Sequence, residues 1–343
     1  MSKKILVTGG TGYIGSHTVV ELHNAGYTPI LVDNLSNSSV KILDQIEKII
    51  GVKPEFYEFD LCDTEKVNAF ISEHSDISGI IHFAASKAVG ESVQNPLKYY
   101  HNNFFSLINL LESYREKQIN FVFSSSCTVY GEPDVLPVNE AAPVKKATSP
   151  YGNTKQIAEE ILEETAKAAS NYNIIALRYF NPVGAHESAL IGELPIGVPQ
   201  NLLPFITQTA IGKREKLTVF GDDYDTPDGS AVRDYIHVVD LAKAHVAAIQ
   251  LLEKGNPNGN YDVFNVGTGN GYSVLEAISA FEKASGKPLN YVVGPRREGD
   301  IIKVWGDVTK SADQLGWKAQ LGIDEMMASA WAWEKYLSEN PIQ

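Results

Sequence analysis

The sequence predicts a doubly wound parallel α/β sheet followed by a smaller mixed α/β lobe, and three observations carry that expectation. Short β-branched and aromatic runs alternate with helix-length segments through the first half. A glycine triplet stands between the first run and the first helix, and an acidic residue closes the second run about 20 residues later. Residues 4–8, 29–32, 55–59, 79–83 and 120–124 each read as a buried strand. Such alternation folds as a parallel sheet with helices on both faces. Segment 96–118 predicts a long crossover helix with Leu97, Tyr100, Phe104, Ile108 and Leu111 along one apolar side. Ser149 as N-cap and Pro150 at the first helical position start another helix, running to about residue 172, before a strand at 174–178. Beyond Asn181 the pattern loosens around Gly184, Gly192, Pro195, Gly197, Pro199 and Pro204. The expected division is therefore a dinucleotide-binding unit over 1–181 and a substrate lobe over 182–343. A helix at 238–252 and a strand at 261–266 are expected to return to the main sheet, which would place about 236–267 with the first unit.

Composition narrows the function. With 343 residues, 43% hydrophobic and 21% charged, the chain is an ordinary globular one. Acidic residues outnumber Lys and Arg by 42 to 29, a net charge of −13, which disfavours a nucleic-acid partner. Cys62 and Cys127 are too few for a disulfide framework or a cysteine-rich zinc site, and fit a reducing, cytoplasmic setting. No apolar run has the length of a membrane span, and Met1-Ser2-Lys3-Lys4 leads directly into a short strand that ends in glycines, unlike a signal peptide. The spacing of His17, His82, His101, His186, His237 and His245 suits no metal.

Chemistry begins at Thr8-Gly9-Gly10-Thr11-Gly12-Tyr13-Ile14-Gly15. Gly9, Gly12 and Gly15 let the backbone turn tightly and approach a pyrophosphate, which the N-terminus of the next helix then faces with free N–H groups. Asp33, closing Leu31-Val32-Asp33-Asn34, is placed to accept from ribose hydroxyls and to repel a 2′-phosphate, so NAD is favoured over NADP. Asp60 has two readings, a contact on the adenine side or a cap of the following helix.

A second constellation is Tyr151-Gly152-Asn153-Thr154-Lys155, which places a phenol and an ammonium on one helix face. A free phenol is a poor base at neutral pH, and a neighbouring ammonium with a cationic nicotinamide would both favour phenolate. The strand at 120–124 leads into Ser124-Ser125-Ser126, and a hydroxyl at the carboxyl end of a parallel strand lies where open α/β sheets bind ligands.

Through these motifs the sequence resembles the extended short-chain dehydrogenase/reductase family, and within it the UDP-galactose 4-epimerases. The likeness runs along nearly the whole chain. It includes His82-Phe83-Ala84-Ala85, Lys87-Ala88-Val89-Gly90-Glu91-Ser92, Arg178-Tyr179-Phe180-Asn181-Pro182-Val183-Gly184-Ala185, Val232-Arg233-Asp234-Tyr235-Ile236-His237-Val238 and Pro295-Arg296-Arg297-Glu298-Gly299-Asp300. The resemblance implies a Rossmann-type fold with Tyr151 as general base and acid, Lys155 as its electrostatic partner and Ser126 as the hydroxyl-positioning group. It implies NAD contacts from Gly9, Gly12, Tyr13, Ile14, Gly15, Asp33, Asn34, Asn37, Ser38, Asp60, Leu61, Phe83, Ala84, Lys87, Asn102, Tyr151, Lys155 and Tyr179. It implies UDP-hexose contacts from Lys87, Ser126, Tyr151, Asn181, Asn201, Leu202, Thr218, Phe220, Arg233, Tyr235, Arg297, Asp300 and Val304. Arg233 and Arg297 suit a diphosphate as planar guanidinium forks, or else are surface ion-pair partners of Asp234 and Glu298. The implied reaction oxidises C4 of the sugar and reduces it again on the other face without net redox, and the implied assembly is a homodimer built on the helices near 96–118 and 149–172.

Two departures bear on specificity. Related nucleotide-sugar 4,6-dehydratases carry an Asp-Glu pair where this chain has Cys127 and Thr128, so the acid for dehydration is missing. At Val304 a bulkier residue, often tyrosine, is associated in the family with excluding N-acetyl sugars, so valine implies that UDP-N-acetylhexosamines are also accepted; a packing role is the other reading. Cys127 reads as a small buried hydrophobe rather than a nucleophile. The rival functions are another UDP-sugar epimerase, for an N-acetylhexosamine, pentose or uronate, and a non-catalytic NAD-sensing regulator.

Overall fold

The computed structural model describes residues 2–297 and 301–342. The first half builds β1 (Lys4–Thr8), α1 (Tyr13–Asn24), β2 (Thr28–Asp33), α2 (Ile42–Ile50), β3 (Glu55–Glu58), α3 (Thr64–Glu73), β4 (Ile77–His82), α4 (Val89–Gln94), α5 (Pro96–Ser113), β5 (Ile119–Ser124), α6 (Pro150–Ala168) and β6 (Tyr172–Tyr179). With the strand Tyr261–Val266 they form a seven-stranded sheet in the order Tyr261–Val266, β6, β5, β4, β1, β2, β3. Every pairing in it is parallel. The chain winds outward from β1 to β3, then crosses back to β4 and winds the other way, so the order reverses between β1 and β4. The crevice beyond the carboxyl ends of these two strands is where doubly wound folds take ligands.

Alternation along each strand divides the core in two. Ile5, Val7, Leu31, Ile81, Val122, Ile175, Leu177 and Phe264 face one side, under α1, α2 and the helix Val238–Lys254. Leu6, Ile30, Val32, Ile80, Phe121, Phe123, Ile174 and Ala176 face the other, under α3, α5 and α6. Each such fully buried aliphatic side chain contributes on the order of 1.5–3 kcal/mol through removal from water.

The start of α6 is the one the sequence predicts: Pro150 opens it and the Ser149 side chain accepts the Gly152 N–H at 3.1 Å. Its end comes earlier, at Ala168, and α5 likewise stops at Ser113 rather than near 118. The reason for the second is Asn171, whose side-chain amide donates to the carbonyls of Tyr114, Arg115 and Lys117 at 3.0, 3.3 and 2.9 Å and so satisfies the chain leaving the helix.

The expected inner face of α5 is corrected by the structure. Leu97 is 78% exposed and Ile108 41%, while Tyr99, Asn103, Ser106, Leu107 and Leu110 point inward with Leu111. Polar residues take the inner face because they bond there: Asn103 holds the Ser86 carbonyl at 3.1 Å and Thr154 at 3.0 Å, and Asn109 holds the Leu61 carbonyl at 2.9 Å.

The remaining chain forms a lobe over a third core of Ile206, Leu217, Phe281, Met326 and Trp331. Its helices include Leu202–Ala210, Val274–Ser285 and Ile323–Glu339, and its short strands pair Leu217–Phe220 with Tyr291–Gly294, Asn181–Val183 with Tyr235–His237, and Val232–Arg233 with Lys303–Val304.

Candidate active site

The glycine loop sits at the reversal point between β1 and β4. Gly9 adopts φ 68°, and a Cβ there would stand 3.0 Å from the Ala84 N, so this residue lets the loop lie against the end of β4. A Cβ on Gly15 would fall 2.1 Å from the Gly9 carbonyl oxygen, so α1 approaches the loop only without one. Gly12 caps α1 with no side chain, and its first turn carries no acidic residue, which leaves a positive helix end facing the crevice.

Asp33 is buried at the end of β2. One carboxylate oxygen accepts the Thr11 N–H at 3.2 Å, and the other accepts the Leu35 N–H at 2.9 Å and the Ser38 hydroxyl at 3.2 Å. The acid thus ties the glycine loop to the loop after β2 and keeps further acceptor capacity for a ribose. Asn34 donates to Asp60 at 3.3 Å, which brings those two together, while Asn37 is exposed. Asp60 does not cap α3: Asp63 does, accepting from the Lys66 N–H at 3.1 Å, while Asp60 accepts from the Cys62 N–H at 2.8 Å. Leu61 lies in the core, and the Asn102 carbonyl accepts from the Cys62 thiol. Tyr13 donates to the Gly184 carbonyl at 2.7 Å, tying α1 to the second lobe. A dinucleotide fits this cradle because the tightly packed glycine turn leaves the N-terminus of α1 without a side-chain cap or an acidic residue in its first turn.

The second group is assembled where α6 lies across the end of β5. Ser126, Tyr151 and Lys155 are 6%, 7% and 5% exposed. Ser126 begins a short 3₁₀ turn, Cys127–Tyr130, and accepts the Thr128 N–H at 3.2 Å. The Lys155 ammonium donates to the Ser124 carbonyl at 2.6 Å and lies 4.7 Å from the Phe123 ring centre and 5.9 Å from that of Tyr151. Burial lowers its pKa to about 8, with Glu159 acting in the opposite direction. Tyr179 pairs with the Ser124 hydroxyl at 2.7 Å. Burial holds the Tyr151 phenol well above its ordinary value, partly offset by the Ser126 hydroxyl, and the expected shift toward phenolate needs the cationic nicotinamide as well as the ammonium. A cation docked at the crevice would have to supply the rest of the stabilisation.

The expected sugar-nucleotide contacts fall into three groups. Lys87 and Asn201 meet at a residue the sequence reading missed, Glu193: Asn201 donates to its carboxylate at 2.6 Å and the Lys87 ammonium lies 3.7 Å from the same oxygen. Burial raises the Glu193 pKa, and Lys87 and Asn201 act against that rise. No spacing signal marks it, because Lys87 comes from the sheet unit and the stretch between Glu193 and Asn201 forms no regular element. Leu202 follows Asn201 at the start of its helix. A second group joins Asn181, Tyr235, Arg233 and Val304 through adjoining strand pairs, Tyr235 opposite Asn181 and Val304 opposite Arg233. Arg233 donates to the Val232 carbonyl at 2.9 Å, and the neighbouring Asp234 carboxylate instead accepts from the backbone of Thr268, Gly269 and Gly306. Val304 is buried against Val129, Tyr130, Val138 and Phe180, with Cys127 alongside. The third group is Thr218, Phe220 and Arg297, with the Arg297 guanidinium 5.5 Å from the centre of the exposed Phe220 ring. Asp300 and Glu298 lie outside the described residues.

Burial pushes the Cys127 thiol up to about 12, so it is no nucleophile at neutral pH. Among the described residues no cluster of three or more His, Cys, Asp or Glu side chains is placed to hold a metal ion. A surface hollow of about 440 Å³ lies elsewhere, along the edge strand Tyr261–Val266, where Lys310 already pairs with Asp262 at 2.5 Å.

A family model described as GDP-mannose 4,6 dehydratase matches residues 6–330. The UDP-glucose 4-epimerase of Yersinia pestis is 51% identical over 338 residues, 98% of each chain. A solved UDP-glucose 4-epimerase from Stenotrophomonas maltophila, with bound NAD and a formylated UDP-arabinopyranose, is similar at TM-score 0.94 and 45% identity, covering 98% of this chain and 99% of that one. The UDP-glucose 4-epimerase of Bifidobacterium longum in complex with NAD+ and UDP gives TM-score 0.91 at 47% identity over 99% of both chains.

Proposed function

Because the chain belongs to the extended short-chain dehydrogenase/reductase family and, within it, to the UDP-glucose 4-epimerases, we propose that Ser126, Tyr151 and Lys155 carry the NAD-dependent interconversion of UDP-galactose and UDP-glucose. The observation that carries this assignment is the dry corner where these three side chains meet at the carboxyl end of β5. Ser126 holds the sugar 4-hydroxyl. Tyr151 takes its proton and later returns one, and the Lys155 charge favours the phenolate between those events. The glycine loop and the α1 end would hold the pyrophosphate of NAD and Asp33 its ribose, and the cofactor would supply reversible hydride transfer at C4 of the sugar. Arg233 and Arg297 grip the UDP diphosphate, remote from the reacting carbon, so that the hexose can turn while the nucleotide stays. Dehydration lacks its acid, since Cys127 and Thr128 stand where a carboxyl would be needed.

Three finer assignments belong to this reading. Val304 is smaller than tyrosine, which supports acceptance of UDP-N-acetylhexosamines as well, while its burial among Val129, Tyr130, Val138 and Phe180 favours the packing reading. Residues 1–181 with the returning segment act as the cofactor unit, and the rest of 182–343 as the sugar-nucleotide lobe. The working assembly is a homodimer through α5 and α6, a reading supported by the apolar residues Leu97, Phe105 and Ile108 that α5 leaves 78%, 50% and 41% exposed. Among the described residues no helix is long and apolar enough to cross a membrane, and two free thiols support a cytoplasmic setting.

The test is turnover of UDP-galactose to UDP-glucose by the purified protein without added NAD, with UDP-N-acetylgalactosamine in a parallel reaction. Conversion in the first tube is expected from retained cofactor. No conversion of either sugar, even with NAD supplied, would sink the assignment.

A further inference from the structure

Tyr151 and Lys155 share their side of α6 with a third residue, Glu159, one turn further on. Three consecutive serines at the end of β5 meet these three side chains. The Ser126 hydroxyl acts on the Tyr151 phenol, the Ser124 carbonyl accepts from Lys155, and the Ser125 hydroxyl donates to Glu159 in a short hydrogen bond. The Glu159 carboxylate is gripped from β6 by Arg178, whose Nε lies 3.0 and 3.2 Å from the two carboxylate oxygens, with an Nη at 2.6 Å from the second. Both side chains are nearly sealed, at 8% and 7% exposure. Arg178 stacks 4.8 Å from the Tyr130 ring centre, and Tyr130 donates onward to Asn265 at 2.6 Å.

Burying an ion pair is a poor way to stabilise a core, since an apolar pair of the same size often does as well. This pair has a different use because of what stands next to it. The titratable and charged groups around Lys155 are Tyr151 and Glu159 on its own helix, Arg178 and Tyr179 on β6, His82 on β4 and Cys127 after β5. Burial, reinforced by Lys155, lowers the His82 pKa to about 3, and burial pushes Tyr179 and Cys127 up to about 12. Among these neighbours, then, only Glu159 and Arg178 carry charge at neutral pH.

We propose that Glu159 is a positioning residue of the reaction: paired with Arg178 it keeps the buried Lys155 cationic, and through Ser125 it fixes the strand end that presents Ser126. This deepens the assignment of Tyr151 and Lys155 and rests on it. Opposite charge changes in the pair must then move Lys155 in opposite directions, which no purely structural role requires.

The test is the protonation midpoint of Lys155 in the intact protein, followed by NMR of 13Cε-labelled lysine with the resonance assigned by Lys155→Met, alongside the pH profile of kcat for UDP-galactose. Glu159→Gln leaves the Arg178 charge unbalanced and should lower the midpoint by about one unit, bringing the alkaline fall of kcat to lower pH. Arg178→Gln leaves the carboxylate unbalanced and should raise the midpoint. Midpoints unmoved in both variants, with activity merely scaled down at every pH, would overturn the proposal. Should either single variant fail to fold, the paired Glu159→Met and Arg178→Met protein decides: a midpoint below that of the parent supports the proposal, and an unmoved one overturns it. The NMR midpoint does not depend on which sugar is turned over, so failure here is separable from failure of the epimerase assignment, which the parent protein's turnover tests.

Discussion

The corner between α6 and the end of β5 and the face of the second lobe are built in opposite ways. In the corner, Ser126, Tyr151 and Lys155 are each buried, and every neighbour that orients them is a hydrogen bond or a ring from the same fold unit. On the lobe, Phe220 is 42% exposed, Asn201 and Arg297 face solvent, and Asn201 bonds to Glu193, which Lys87 also approaches from the sheet unit. The difference separates two tasks. Chemistry requires groups fixed before the substrate arrives, whereas a grip on a nucleotide gains from groups that exchange an internal partner for a ligand.

That contrast can be broken first at the corner. Tyr151→Phe removes one oxygen from a packed site, so it should leave NAD bound and the melting temperature near that of the parent while kcat falls about a thousand-fold. Turnover within tenfold of the parent would mean that another group moves the proton. On the lobe the same size of change should act on binding. Arg297→Ala is expected to raise KM for UDP-galactose by about ten- to a hundred-fold, the loss of a charged hydrogen bond, with kcat within about threefold. A fall in kcat instead would place Arg297 on the chemical side of the division. A smaller and selective effect is expected from Val304→Tyr, which should cut kcat/KM for UDP-N-acetylgalactosamine by about tenfold and spare UDP-galactose. Equal losses on both sugars would make Val304 a packing residue only.

The smallest effect concerns stability and has the opposite sign to activity. Lys155 has its pKa lowered by burial to about 8 from an ordinary 10.5, so below pH 8 the fold holds a charge it disfavours. Between those two values the unfolded chain binds the extra proton, and this group's contribution to stability rises with pH while turnover falls. Lys155→Met should therefore lose activity yet melt about 2–4 °C higher at pH 7 in calorimetry. A lower melting temperature would show that the bond to the Ser124 carbonyl outweighs the buried charge.

How much of this was legible in the sequence depends on how local the cause is. The glycine loop, Asp33, the Ser149–Pro150 helix start and the Tyr151/Lys155 pair could be read because their partners lie within one helical turn or at a fixed strand-to-helix spacing. Glu159 could have been read the same way, eight residues after Tyr151 on the same face. The inner side of α5 was misjudged because hydropathy does not reveal that Asn103 and Asn109 turn inward to bond loops fixed by other strands. Glu193 was invisible for a related reason, since Lys87 reaches it from the sheet unit and Asn201 meets it across an irregular stretch with no periodic spacing. Asp60 and Asp63 compete for one helix cap, and the chain geometry, not residue type, awards it to Asp63.

The return of Val238–Lys254 and Tyr261–Val266 to the main sheet has a consequence for anyone wishing to divide the molecule. A fragment cut after residue 181 would expose β6 as a bare edge and uncover Val122, Ile175 and Leu177, which the returning helix shields. Such a piece would expose unpaired strand groups beside an oily face, the conditions for precipitation rather than for an independent nucleotide binder. The two units are interlaced by the path of the chain, so heat or denaturant should take them apart in one step, and a useful split would have to run through the loops on the surface instead of along the cleft.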